Sequence, residues 1–120
     1  MELKDALSGF HALSQETRLN VFRLLMRAGP DGLGAGEIAK RMEARQNTMS
    51  AHLSALTAAG LISPDRDGRH IRYRANLDGV RNLIGYLLEE CCGGNPEQCA
   101  PLIREIRLQG SKAEKVSHEV

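Results

Sequence analysis

Three cysteines, Cys91, Cys92 and Cys99, fall within nine residues of one another in the run ECCGGNPEQC. An odd number of thiols crowded in this way does not make a structural disulfide framework; it points to metal binding or redox chemistry. Thiolates are soft donors that suit thiophilic ions, whereas a closed structural zinc site takes four ligands. Three cysteines with no histidine close in sequence supply three. Trivalent arsenic carries a lone pair and bonds three thiolates in a trigonal pyramid, so it matches this set without a fourth partner, and antimony(III) matches for the same reason. Glu89, Glu90 and Glu97 are hard ligands and read as a solvated acidic face. Two other readings stay open: a thiol redox switch, and a cadmium, lead or zinc sensor completed by His118, a glutamate or water. An enzyme such as a thiol-dependent metalloid reductase is disfavoured, and no organic cofactor is expected. The cysteines have no βαβ pattern around them, no cofactor cradle and no neighbouring histidine to activate a thiolate.

The elements that must position these thiols follow from the flanking pattern. Adjacent residues on a continuous helix point about 100° apart, so Cys91 and Cys92 converge on one ion only where a helix ends. Gly93-Gly94 provides that end, and the loop through Asn95-Pro96 can return Cys99, within one chain or across a dimer. Upstream, Leu77, Val80, Leu83, Ile84, Leu87 and Leu88 form an apolar stripe on the preceding helix. A second stripe, Leu3, Leu7 and Phe10, lies on a helix at the start of the chain. A single small domain cannot readily cover both stripes, so a homodimer is expected with Leu3, Leu7, Phe10, Leu83 and Leu87 at its interface.

Between the stripes the spacing predicts a helix over Gln15 to Ala28, with Ser14 as its N-cap and Gly29-Pro30 as its stop. A glycine-rich connection from Gly29 to Gly36 leads to a short helix bearing Ile38, Ala39 and Met42. The next helix, about Asn47 to Ala59, carries Met49, Leu53 and Leu56 at i, i+4, i+7, and Gly60-Leu61 fits a Schellman ending. The period then changes to two: Ile71, Tyr73 and Ala75 alternate with His70, Arg72 and Arg74. With Asp67-Gly68 as the turn, this predicts a two-stranded ribbon, Ile62 to Arg66 and Arg69 to Ala75. A last short helix is expected around Pro101 to Leu108, giving one domain over residues 1–108 and a polar, disordered tail over 109–120.

The net charge of +1 is unevenly distributed. Residues 40–74 hold seven basic and three acidic groups, a local +4 that a homodimer doubles to +8. That is the footprint of a nucleic-acid binder. A short helix with small hydrogen-bonding side chains near its N-terminus can enter the major groove, and a basic hairpin can reach the neighbouring backbone. Gln46, Asn47, Thr48, Ser50 and His52 on the helix and Arg66, Arg69 and His70 near the ribbon tip are the candidate DNA contacts; Tyr73 reads as core. The fold class is therefore mainly α with a small β-hairpin: a winged helix-turn-helix of five to six helices and a two-stranded wing. No apolar run approaches the roughly 18 residues of a membrane span, and the start MELKDALSGF lacks the order of a signal peptide, so a cytoplasmic protein with no membrane partner is expected.

The stretches LSQETRLNVFRLLMRAG, GEIAKRM, QNTMSAHLSALTAAGLI and RDGRHIRYRAN resemble the ArsR/SmtB family of winged-helix repressors over nearly residues 5 to 90. The resemblance implies a homodimer built on the first and last long helices. It implies a palindromic double-stranded operator, released when a metal or metalloid ion binds. It places Gln46, Asn47, Thr48, Ser50 and His52 on the recognition-helix motif and Arg66, Gly68 and Arg69 on the wing. Ala51 stands where many relatives have a basic residue. The family's commoner ligand sets are missing, since the GLGAGEIAKRM helix has no cysteine and residues 77–90 no histidine. Arsenite-responsive members with a cysteine pair plus one after the last helix imply the ligand role of Cys91, Cys92 and Cys99.

Overall fold

The computed structural model describes residues 1–89 together with residues 100, 101, 104 and 105. In chain order the elements are α1 (Leu3–Leu13), α2 (Glu16–Ala28), a 3-10 turn (Gly29–Asp31), β1 (Leu33–Gly34), α3 (Ala35–Arg41), α4 (Gln46–Ala58), β2 (Ile62–Asp67), β3 (His70–Ala75) and α5 (Leu77–Leu88). Met1–Ile84 forms one compact unit and Gly85–Val120 a second. Of the second unit, the last turn of α5 and exposed helical residues Ala100, Pro101, Arg104 and Glu105 are described. Cys91, Cys92, Cys99, His118 and the expected 109–120 tail lie outside the described residues, as does most of the short helix expected at Pro101 to Leu108.

The core of the first unit takes only part of the expected apolar faces: of Leu19, Phe22, Leu25 and Met26, expected together on α2, Phe22 and Leu25 are buried while Leu19 and Met26 are exposed, and Val21 turns inward instead. Val21, Leu25, Ile38, Met49, Leu53, Leu56 and Leu61 are all less than 2% exposed. Burying each such side chain contributes about 1.5–3 kcal/mol before the entropy of ordering is charged against it. Leu83 also turns inward, and its Cδ atoms rest 3.2 Å from where a Cβ on Gly9 would be, so α1 and α5 touch through a close contact at Gly9.

Two local expectations are corrected. Ser14 is the C-cap of α1, not the N-cap of α2: its backbone is still helical (φ −78°, ψ −6°) and its hydroxyl donates to the His11 carbonyl at 2.8 Å. The N-cap is Gln15, which is extended (φ −100°, ψ 132°) and accepts from the Arg18 amide at 2.8 Å. The wing has three strands where two were expected. β1 pairs antiparallel with β3, Leu33 opposite Tyr73 and Gly34 opposite Arg72, to give the order β1-β3-β2.

Candidate nucleic-acid interface

The path from α3 into α4 sets the presentation of α4. α3 closes with a Schellman pair of hydrogen bonds, Glu43 N–H to Lys40 O at 3.2 Å and Ala44 N–H to Ala39 O at 2.9 Å. The left-handed position of that motif is filled by Glu43 at φ +53° rather than by glycine. Arg45 is the N-cap of α4 in extended conformation and makes no side-chain capping bond. The first turn of α4 contains no acidic residue. A helix N-terminus beside Arg45 is therefore open to an anion such as a DNA phosphate.

Met49, Leu53 and Leu56 turn the opposite face of α4 outward, as their spacing predicts. Gln46, Asn47, Thr48 and Ser50 are exposed, and His52 is half-buried. The Asn47 Oδ1 accepts from the Thr48 amide at 2.8 Å. α4 ends as expected: Gly60 sits at φ +77°, with Gly60 N–H to Thr57 O at 3.0 Å and Leu61 N–H to Leu56 O at 3.1 Å.

In the wing, β2 and β3 pair from Ile62–Ala75 to Asp67–His70, so the turn residues are Gly68 and Arg69. This is one residue later than the expected Asp67-Gly68 turn. Glycine at the first central position with φ +63° fits the tight II′-type hairpin turn, whose frame glycine dictates. His70, Arg72 and Arg74 are exposed while Ile71, Tyr73 and Ala75 are half-buried, which is the predicted alternation. Arg72 is a tether that sequence reasoning missed. Its Nε donates to Asp31 O and its guanidinium nitrogen to Gly32 O, both at 2.9 Å. Gly32 has φ +66°, and a Cβ there would overlap the Tyr73 carbonyl.

The structure brings some of the candidate contacts together and separates others. Gln46, Ser50, Arg69 and His70 line one cleft of about 570 Å³ between α3, α4 and the wing. Glu37 also faces this cleft, its carboxylate paired with Arg41 at 2.9 Å. Arg66 lines a second cleft of about 460 Å³ with Ser54, Thr57 and Pro64, and Ile71 and Tyr73 border both clefts. Asn47, Thr48 and His52 line neither. Neither of the ion pairs formed among the described residues, Arg41–Glu37 and Arg81–Asp78, involves Arg66 or Arg69. Among the described residues no group of three or more histidine, cysteine, aspartate or glutamate side chains is placed to hold a metal ion.

Of the five predicted interface residues, Leu3 and Leu7 are about 60% exposed on α1, and Leu87 likewise on α5. Phe10 is half-buried, and Leu83 faces the protomer's own core. Ile84, at 47% exposed, is the outward apolar residue beside it.

A recognition helix held by a helix-turn, flanked by a basic three-stranded wing, defines a winged helix-turn-helix DNA-binding protein. A helix-turn-helix domain model matches residues 13–64. The chain is 34% identical over 79 residues to the transcriptional repressor SdpR of Bacillus subtilis, covering 66% of this chain and 84% of that protein. It is also 34% identical over 73 residues to a putative arsenical resistance operon repressor of Halobacterium salinarum, covering 61% of this chain and 56% of that protein. An ArsR-like transcriptional regulator from Rhodococcus superimposes with a TM-score of 0.64 at 31% identity, covering 86% of this chain and 92% of that one. The chain belongs to the ArsR/SmtB family of winged-helix transcriptional regulators, and it is a DNA-binding regulator rather than an enzyme.

Proposed function

We propose that this regulator is an arsenic-responsive repressor. It binds a palindromic operator as a homodimer and leaves it when As(III), or Sb(III), is held by Cys91, Cys92 and Cys99. The observation that carries this reading is the donor set: three thiolates within nine residues just beyond α5, with no histidine among them. Three soft donors satisfy a three-coordinate metalloid and leave a tetrahedral ion one ligand short. The likeness to a protein named for arsenical resistance supports it. The exposed Leu3, Leu7 and Leu87 support a dimer, and two-fold symmetry then spaces two α4 helices about 34 Å apart, one DNA turn.

Release requires that the ion bind the DNA-free state more tightly, commonly by about 1–3 kcal/mol, or roughly 5- to 150-fold in operator affinity. A titration of labelled operator with the reduced protein and arsenite tests this. DNA affinity undiminished at saturating arsenite rejects the sensor. Cys99→Ser is expected to repress normally and to ignore arsenite; release by that variant would reject the three-thiolate site. Release by peroxide and not by arsenite would establish the thiol redox reading instead.

A further inference from the structure

The outward face of α4 carries no charge. At about 100° per residue, the direction opposite the Met49–Leu53–Leu56 stripe falls within roughly 10° of Ala58, roughly 15° of Ala51 and roughly 30° of Asn47, and of these Asn47 and Ala51 lie in the N-terminal half of α4. Both are exposed. None of the seven basic residues between 40 and 74 lies on α4; they sit at the end of α3, at the N-cap Arg45 and on the wing. Gln46, the other amide of the first turn, is drawn aside: its Nε2 lies 3.4 Å from where a Cβ on Gly36 would be, over the start of α3.

We infer that Asn47 and Ala51 are the specificity-determining residues of the recognition helix, and that they select adjacent A·T base pairs. In the major groove guanine is read chiefly by arginine or lysine, adenine by a carboxamide, and thymine by apolar contact with its C5 methyl. The centre of this helix offers only the last two. Asn47 has one Oδ1 lone pair engaged by the Thr48 amide, which leaves the second lone pair and both Nδ2 protons for adenine N6 and N7. Ala51 presents a bare methyl, small enough for the helix to approach the thymine methyl closely. Affinity for phosphate then comes from Arg45, Arg66 and Arg69, and sequence choice from two uncharged side chains one helical turn apart. The inference rests on the operator-binding reading and goes beyond it.

The test selects duplexes carrying a randomised stretch of about 30 base pairs, three DNA turns, with the full-length reduced protein. The enriched half-site is expected to hold adjacent A·T pairs whose preference responds to Asn47→Ala and Ala51→Gly. Replacing the contacted thymine by deoxyuridine removes only the methyl. It should weaken wild-type binding about fourfold per half-site, the worth of one buried methyl, and leave Ala51→Gly binding unchanged. Because the thymine-to-uracil ratio is taken within each protein, a partial loss of folding cancels. Asn47→Ala should relax adenine preference by about tenfold without altering the salt dependence of binding. Should Ala51→Gly fail to fold, Ala51→Arg serves: it should move the selected pair to G·C. A G·C pair in the wild-type site, an equal uracil effect in Ala51→Gly, or an unchanged choice by Ala51→Arg overturns the inference. A pool with no enriched sequence overturns the operator-binding reading along with it.

Discussion

Gly79, in the first turn of α5, faces the carbonyl of Gly60 with no room for a Cβ between them. Gly60 is the left-handed residue that ends α4, and its carbonyl also accepts from Asn76 Nδ2 at 3.0 Å, while the Asn76 amide donates to Leu61 O at 2.9 Å. Gly79→Ala must therefore move backbone, and is expected to cost about 2–3 kcal/mol, measured as a fall in the thermal midpoint. Asn76→Ala, which strands a part-buried carbonyl, should cost about 1–2 kcal/mol. A Gly79→Ala protein as stable as wild type would show that the contact gives way easily.

Glu43 supplies the opposite case. At φ +53° it holds a conformation that costs an L-residue about 1–2 kcal/mol, in a motif that normally takes glycine. Glu43→Gly is expected to raise the unfolding free energy by about 0.5–1 kcal/mol, read as a higher urea midpoint at an unchanged slope. It also removes an acidic group from the basic segment, so operator affinity should rise, most visibly at low salt.

Arg72 and Arg69 lie three residues apart on the wing and should behave differently. Arg72→Ala breaks two hydrogen bonds to Asp31 and Gly32, for an expected loss of about 1–3 kcal/mol in unfolding experiments. Arg69→Ala should leave stability within about 0.5 kcal/mol. It should instead lower the slope of log affinity against log salt by about one per protomer.

Leu7 and Leu83 separate association from folding. Leu7 is 58% exposed, so Leu7→Asp is expected to leave a folded chain that sediments as a monomer. Leu83 is 4% exposed against Gly9, and Leu83→Asp should unfold the protomer at any concentration. A dimeric Leu7→Asp protein would move the interface elsewhere.

What was legible in the sequence was whatever rested on local periodicity. The 3.6-residue spacing of Met49, Leu53 and Leu56, the glycine that ends α4 and the period-two wing are all present. What escaped was set by partners far along the chain or by backbone conformation. β1 is two residues long inside a glycine-rich connection, too short to alternate, and exists because β3 offers it an edge. Arg72 reads as one more surface cation until Asp31 and Gly32, some 40 residues away, are placed under it. Leu83 and Ile84 are neighbours on one stripe, and Gly9 makes a pocket for the first. The cysteine chemistry remains a matter of donor count and softness.

The two short ladder pairs of β1 divide the hairpin mechanically. They grip β3 at Arg72 and Tyr73, and the segment from Asp67 to His70 projects past that grip with β2, among the described residues, as the strand beside β3. The base is thus a fixed mount and the tip a replaceable attachment. Residues inserted in pairs about Gly68-Arg69 would keep the inward and outward faces in register and lengthen the arm by about 3.4 Å for each residue added to a strand. The reach of the arm along a DNA backbone is a property that can be retooled without touching the helix that reads the bases.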